Sequence, residues 1–329
     1  MRLTVSGRAF ELDPGESVLD GMTRHGIGLP SACRAGACHA CLVRALRGDP
    51  GPPSQANLKS SWQADGYFLA CLARPAADLT VALAGDEVRT EAEITSVQPI
   101  GARVIRVTLR PRQPLTFRAG QHLALSRPDG TTRVYSIANT PAEAAARGIE
   151  LHVRVYQGGA MSGWLASARP GSLVRVGEPA GGCCYLPGQP PGPLLLAGTG
   201  TGLGPLAALL RDALSQGHPG PAVIIHGAAD PASLYPSGPP GPNQQAPSQQ
   251  ASGQQAPPGP HRRRTCLLSR GEDIAEAATE ELRDLGDPAA VRAYLCGGQQ
   301  AVIRMRRSLF LAGMSSRHIF ADAFINAAR

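Results

Sequence analysis

The chain has 329 residues, 43% of them hydrophobic and 17% charged, which is enough for more than one packed core. Its 39 glycines and 30 prolines follow no period of three and stand beside few aromatic residues, which excludes collagen and a coiled coil and predicts many turns and short strands. The net charge of +7 comes almost wholly from arginine scattered along the chain, with Lys59 the only lysine, so it does not choose among nucleic acid, nucleotide phosphates and an acidic protein. No apolar run approaches the roughly 18 residues of a membrane helix, and residues 1–18 lack the basic start and apolar core of a secretory signal. These features predict a cytoplasmic protein with no membrane partner.

The segments RLTV and RAFEL alternate around Ser6-Gly7 as a hairpin, and Glu16 to His25 reads as a short amphipathic helix entered through Pro14-Gly15. Three cysteines follow in SACRAGACHAC, at Cys33, Cys38 and Cys41, and a fourth, Cys71, stands in YFLACLARP. Without a signal segment a disulfide framework is not expected. The spacing is C-x4-C-x2-C with a distant fourth thiol, the plant-type 2Fe-2S pattern. Two irons and their bridging sulfides must be gripped from several sides, so three ligands come from one wrapped loop and one from a separate strand. The small residues Ala35, Gly36, Ala37 and Ala40 let backbone N–H groups approach the sulfurs. Zinc is the alternative for any four-cysteine set, but its sites favour C-x2-4-C pairs, and Cys71 has no near companion. His39 reads as an exposed loop histidine. With strand-like segments at Leu42–Leu46 and Leu79–Leu83, residues 1–86 resemble a plant-type ferredoxin of β-grasp fold.

From Ala92 the pattern changes to short alternating runs, ITSV, VIRVTL, HLALS, VYSIA and LHVRVY, which predict a small antiparallel barrel over about residues 90–190. Within it Arg133-Val134-Tyr135-Ser136 is an RxYS motif, and Gly158-Gly159-Ala160-Met161-Ser162 precedes a helix-like GWLAS. Each has a plain structural alternative, a half-buried strand for the first and a serine-capped helix start for the second. Together, at this distance, they resemble the ferredoxin-NADP reductase superfamily. The resemblance implies that Arg133 pairs with a flavin phosphate, Tyr135 packs on the isoalloxazine and Ser136 lies near its reactive nitrogen. It also implies that Gly159, Met161 and Ser162 bind the FAD pyrophosphate at a helix start.

The last third, residues 191–329, opens with an apolar strand at Pro193–Ala197, the loop GTGTGLGP over Gly198–Pro205 and a helix, the makings of a phosphate cradle in a parallel-sheet α/β nucleotide-binding domain. The third glycine of G-x-G-x-x-G is missing, but the loop resembles the GGTGLAP-like loop of the superfamily, which implies nucleotide contacts for Gly198, Thr199, Gly200, Thr201 and Gly202. A second strand, AVIIH, ends at Gly227, and Ala293–Gly298 forms a third strand and turn. By the same resemblance Cys296 and Gly297 lie beside the nicotinamide, with Cys296 packing the hydride-transfer site and no covalent role. A buried core cysteine is the alternative. Asp230, and the absence of a basic residue from Gly227 to Tyr235, favour NADH over NADPH. Many relatives carry an arginine near Ala229. The ending Arg317–Phe324 is similar to the HIYADAF-like terminus of aromatic-ring dioxygenase reductases, which implies that Asp322 and Phe324 lie near the flavin. Residues 236–260 are almost entirely Pro, Gly, Gln, Ser and Ala and run into His261-Arg262-Arg263-Arg264, predicting a mobile surface insertion over about residues 236–264 with the arginines at an exposed loop end. Cys183, Cys184 and Cys266 carry no predicted role.

The order ferredoxin, flavin barrel, nucleotide domain answers a chemical mismatch: a nicotinamide gives two electrons at once and an iron-sulfur cluster takes one, while a flavin can mediate. The chain resembles the reductase components of bacterial ring-hydroxylating dioxygenases and multicomponent monooxygenases. That implies an oxidoreductase with Ser136 and Cys296 at the hydride-transfer site, passing electrons from NADH to FAD to the 2Fe-2S cluster and on to a Rieske ferredoxin, a Rieske oxygenase or a diiron hydroxylase, and working as a monomer. No 2-His-1-carboxylate or paired Glu-x-x-His set is evident for an oxygenase site. A carrier or redox-sensing module with the same cofactors and little turnover is the alternative. A nucleic-acid partner is not expected, since only the pI and the Arg262–Arg264 run point to one.

Overall fold

The computed structural model describes residues 1–29, 34, 41–56, 58, 60–83, 90–177, 179–186, 192–236 and 261–324. The chain divides into two units, Met1–Arg89 and Thr90–Arg329.

In the first unit β1 (Arg2–Val5) and β2 (Arg8–Glu11) form an antiparallel hairpin. Ser6 and Gly7 both have positive φ, 51° and 75°, the backbone twist that a two-residue hairpin turn requires. Ser17 then caps α1 (Val18–Arg24) by accepting from the Asp20 N–H at 3.1 Å, which starts the helix two residues later than the sequence pattern predicts. β3 (Leu42–Arg47), α2 (Ser60–Ala64), β4 (Tyr67–Leu69) and β5 (Leu79–Ala82) complete the unit. The strand order β2-β1-β5-β3-β4 places β5 parallel to β1 in the middle of an otherwise antiparallel sheet. Leu19 and Met22 of α1 pack with Leu3, Val5, Phe68 and Leu79 in one core, the β-grasp arrangement.

The second unit begins with six antiparallel strands: β6 (Thr90–Gly101), β7 (Val104–Pro111), β8 (His122–Ser126), β9 (Thr132–Ser136), β10 (Ile149–Arg154) and β11 (Leu173–Val176). Their order is β10-β7-β6-β11-β8-β9, and an antiparallel bridge between Ile137 and Leu151 joins the two edges. Closure removes the unpaired edges and turns Ile94, Val107, Leu123, Ile137 and Leu151 inward. Two helices decorate the barrel. α3 (Pro141–Arg147) starts at a reciprocal capping box between Thr140 and Glu143, and α4 (Ala160–Ser167) follows β10.

The remaining strands form a parallel sheet in the order β14-β13-β12-β15-β16, made of β12 (Leu194–Thr199), β13 (Ala222–Ala228), β14 (His261–Leu267), β15 (Arg292–Gly298) and β16 (Ile319–Phe324). It is covered on both faces, which is why β12 reads as an unbroken apolar run. Leu194 and Leu196 pack with Leu206 and Leu209 of α5 (Leu203–Ser215). Leu195 and Ala197 face Leu282 of α6 (Ile274–Leu285) and Met305 of α7 (Gln299–Leu311). The strand order reverses between β12 and β15, and the carboxyl ends of strands at such a switch point are where open α/β sheets bind ligands.

The arginine run departs from its predicted place. Residues 237–260 of the low-complexity insertion lie outside the described residues, but Arg262, Arg263 and Arg264 sit inside β14, paired in parallel with β13. Alternate residues of a strand share a face, so Arg262 reaches Glu281 at 3.0 Å and Arg264 reaches Glu280 at 2.7 Å on α6. The run is an edge strand tied to a helix, and no exposed loop end.

Candidate functional site

At the end of the first unit's sheet, Cys41 precedes β3 and Cys71 follows β4. Leu42 pairs with Leu69 and the Ala70 N–H donates to the Cys41 carbonyl at 3.0 Å, so the antiparallel register brings both cysteines to one end of the sheet, each buried. Buried sulfurs delivered from two separate strand ends fit an iron-sulfur cluster's need for a ligand remote from the main loop. Cys33 and Cys38, the other two expected ligands, and His39 lie outside the described residues. Arg34, from the same loop, forms an ion pair with Asp20 of α1.

On the barrel, β9 is the final strand of the sheet order and carries the RxYS residues. Arg133 is exposed, with Nη1 donating to the Thr132 carbonyl at 2.8 Å, and Val134 is 60% exposed. Tyr135 is half-buried, and burial pushes its hydroxyl up to about 12. An exposed guanidinium beside an exposed aliphatic and an aromatic fits a group with a phosphate and a flat ring. Tyr156, 53% exposed after β10, extends the apolar surface. α4 is held at the end of the β8–β9 hairpin by Arg127, whose Nη1 donates to the Ala160 carbonyl at 3.0 Å and whose guanidinium lies 5.5 Å from the Trp164 ring centre.

The serine of the GGAMS motif does not cap α4. Gly159 is the N-cap, without a side-chain hydrogen bond, and Ser162 lies in the first turn with its hydroxyl accepting from the Tyr156 N–H at 3.1 Å. The hydroxyl therefore fixes the turn that leads into the helix, and the helix start is left without a protein cap. Met161 is buried in the barrel core.

The RxYS strand meets the nucleotide sheet at Ser136, whose hydroxyl donates to Asp322 Oδ2 at 3.1 Å. Asp322 is in register with Cys296, and Phe324 with Gly298, so the C-terminal motif lines up beside the β15 turn. Cys296 is fully buried. Burial and the nearby Asp322 carboxylate push its thiol well above the ordinary value, with the neighbouring Ser136 only partly offsetting them, so it stays protonated at neutral pH. That is the state of a packing group and not of a nucleophile.

Across the switch point the two glycine turns touch backbone to backbone. A Cβ on Gly202 would stand 2.4 Å from the Cys296 carbonyl oxygen, and one on Gly297, at φ 131°, would stand 2.3 Å from Thr199 Oγ1. Thr199 Oγ1 also accepts from the Gly298 N–H at 3.0 Å. Any side chain in either turn would push β12 and β15 apart, which is why glycine is required there. Gly198, Thr199, Gly200, Thr201 and Gly202 thus border Cys296 and Gly297, as a nucleotide cradle needs. Asp230 is elsewhere engaged: its Oδ1 accepts from the Ser233 N–H at 2.9 Å and starts a short turn after β13.

Several residues around this site gave no motif. His122 Nδ1 lies 3.5 Å from Asp322 Oδ2. Arg211 of α5 clasps Glu143 of α3 through Nε at 2.9 Å and Nη2 at 3.0 Å, joining the barrel to the nucleotide sheet. His152, His226 and Tyr235 are buried under the glycine loop. Each lies in an ordinary strand or turn sequence, and only the tertiary meeting of barrel and sheet gives it a partner.

Two family models match: the 2Fe-2S iron-sulfur cluster binding domain over residues 2–76 and the oxidoreductase FAD-binding domain over residues 92–185. Over 251 residues the chain is 37% identical to the aromatic O-demethylase reductase subunit of Amycolatopsis sp. (strain ATCC 39116 / 75iv2), covering 71% of this chain and 73% of that protein. It is 26% identical over 332 residues to the ferredoxin–NAD(P)(+) reductase component of the naphthalene 1,2-dioxygenase system of Pseudomonas putida, covering 97% and 96% of the two chains. Among solved structures, the Amycolatopsis cytochrome P450 reductase GcoB superposes with a TM-score of 0.62 at 28% identity over 98% of both chains. The ferredoxin reductase in carbazole 1,9a-dioxygenase shares the fold, with a TM-score of 0.61 at 22% identity over 98% of both chains.

Proposed function

Because the chain belongs to the family of iron-sulfur flavoprotein reductase components of oxygenase systems, we propose that it carries electrons from NADH through FAD and a 2Fe-2S cluster to an oxygenase or its ferredoxin. The single observation that carries this reading is the meeting of Ser136, Asp322 and Cys296 where the flavin-type strand β9 reaches the carboxyl ends of β15 and β16. A donor nucleotide seated at the switch point and a flavin on β9 would share that corner.

FAD, when bound, supplies the exchange between a two-electron hydride donor and a one-electron cluster. Arg133 would hold its phosphate and Tyr135 its ring, and the uncapped start of α4, at Gly159, Met161 and Ser162, would receive its pyrophosphate. Ser136 holds its proton toward Asp322, which sets the direction of the hydroxyl beside the reacting corner. Cys296, neutral and fully buried, keeps water from that corner, and Phe324 borders it. The peptide units of Gly198–Gly202 and Gly297 bind the nucleotide donor. Cys33, Cys38, Cys41 and Cys71 hold the cluster.

NADH is the expected donor because Gly227–Tyr235 contains no cation for a 2′-phosphate. The acceptor is a Rieske ferredoxin, a Rieske oxygenase or a diiron hydroxylase, and the protein acts as a cytoplasmic monomer. Among the described residues no helix is long and apolar enough to cross a membrane. Reduction of cytochrome c by NADH, with ferricyanide as an acceptor that takes electrons from the flavin directly, tests the reading. Turnover of neither acceptor would refute it.

A further inference from the structure

The glycine loop of the nucleotide cradle is held from beneath by three buried side chains that the function above does not use. His226, at the end of β13, has Nε2 3.2 Å from the Gly200 carbonyl. The Tyr235 hydroxyl is 3.4 Å from the Thr201 carbonyl and 3.2 Å from His152 Nδ1. His152 Nε2 is 2.8 Å from Glu150 Oε1, which also accepts from Arg106 Nε at 3.0 Å. His152 and His226 both meet the Tyr235 ring edge to face, at 5.3 and 5.6 Å.

The proton positions follow from the partners. Burial raises the Glu150 carboxyl, but His152 and Arg106 outweigh it and hold it ionised, so the nitrogen facing it must carry hydrogen. Burial also lowers His152, leaving it neutral with one proton. We therefore assign that proton to Nε2 and leave Nδ1 bare, so that the single proton of the Tyr235 hydroxyl is shared between two acceptors, His152 Nδ1 and the Thr201 carbonyl. At His226 a donor is required toward the Gly200 carbonyl, so Nε2 carries the proton. Its Nδ1 is buried without a hydrogen-bond partner among the described residues, a cost that a phenylalanine filling the same space would avoid. Packing alone does not account for a histidine here.

We propose that His226 and Tyr235, the latter backed by His152, Glu150 and Arg106, are positioning residues that aim the peptide N–H groups of the Gly200–Gly202 loop at the phosphates of the nicotinamide nucleotide. In a trans peptide the C=O and N–H point opposite ways, and the described chain has no cis bond. Drawing the Gly200 and Thr201 carbonyls toward His226 and Tyr235 turns the Thr201 and Gly202 N–H groups away from them, toward the open side of the loop. The anchor also reaches into the barrel, since Arg106, Glu150 and His152 belong to β7 and β10. The loop that seats the donor is thereby referenced to the wall that seats the flavin, without touching either ligand. The inference rests on the nucleotide reading given above.

The test uses the holoprotein with Tyr235→Phe, His226→Leu and His226→Gln, the last of which keeps an N–H donor at comparable reach. Anaerobic stopped-flow reduction by NADH gives the nucleotide Kd and the limiting rate, and amide hydrogen exchange reports on the loop. The Kd is expected to rise roughly three- to tenfold in Tyr235→Phe and His226→Leu and to stay within about twofold of the wild type in His226→Gln. Flavin content and flavin potential are expected to hold, with faster exchange at Thr201 and Gly202. Tyr235→Phe removes a single oxygen and tests the anchor even if His226→Leu fails to fold. Unchanged Kd and exchange in Tyr235→Phe would overturn the proposal, as would a Kd that rises only with loss of flavin. Wild-type flavin reduced by neither NADH nor NADPH would instead overturn the nucleotide reading and the proposal with it.

Discussion

Ser136 and Asp322 are 186 residues apart in sequence, and the hydroxyl of one donates to the carboxylate of the other at 3.1 Å. The bond ties the barrel's β9 to the last strand of the nucleotide sheet, and His122 Nδ1 lies 3.5 Å from the same carboxylate oxygen. A hydrogen bond to a carboxylate is worth about 1.5–3 kcal/mol, so Asp322→Ala is expected to slow flavin reduction by NADH roughly ten- to a hundredfold. Ser136→Ala should behave alike, and the double variant should be little worse than either single one because the two residues act as one unit. Single-turnover reduction at matched flavin content checks this. Additive losses would separate the two residues.

Cys71→Ser is expected to abolish the cluster's visible absorbance and its reduced-state electron paramagnetic resonance signal while leaving flavin in place. Ferricyanide reduction by NADH should persist and cytochrome c reduction should fall to background. A retained cluster would remove Cys71 from the ligand set.

Arg133 is exposed and makes its one described hydrogen bond to a neighbouring carbonyl, so its guanidinium is available to a phosphate. Replacing it with alanine is expected to weaken flavin retention roughly ten- to a hundredfold, the range for a charge-assisted pair. Dialysis of the variant followed by flavin fluorescence measures the loss. Full retention would assign the phosphate to another group.

Much of this site is legible in the residues themselves, because local chemistry sets it. C-x4-C-x2-C, RxYS and the GTGTG loop are short, and the residue types of each suit one chemical group without help from the tertiary structure. The β14 arginines misled because a proline- and glutamine-rich stretch borders them, and only pairing with β13 and the α6 carboxylates makes them a strand. The plain alternative for Ser162, a serine cap after Gly-Gly, fails for a related reason: its bond to the Tyr156 N–H depends on the turn geometry. His122, His152, His226 and Tyr235 left no trace because their partners come from other strands.

Acid is expected to weaken the fold. Burial, with a lesser contribution from Arg263, lowers His226 from 6.5 to about 4, and burial likewise lowers His152 and His218. Unfolded, these imidazoles take up protons near 6.5, whereas the folded chain refuses them, so below that pH the unfolded state binds more protons. Stability is full above about pH 6.5 and falls as the pH drops toward the folded value of His226, by up to about 1.4 kcal/mol per pH unit from His226. Denaturant titrations at pH 7.5 and 5 should show the loss, and His226→Gln should reduce it by close to one proton's slope. An equal loss in that variant would exclude His226 as a source.

The account's central claim is an internal path from NADH through flavin to cluster, and anaerobic titration with NADH, then separately with NADPH, tests it most directly. Visible absorbance follows the flavin, and electron paramagnetic resonance follows the reduced cluster. The account predicts flavin bleaching with NADH at far lower concentration than with NADPH, followed by a reduced 2Fe-2S signal. Flavin and cluster both present yet unmoved by either nucleotide would contradict it and leave a carrier or sensor.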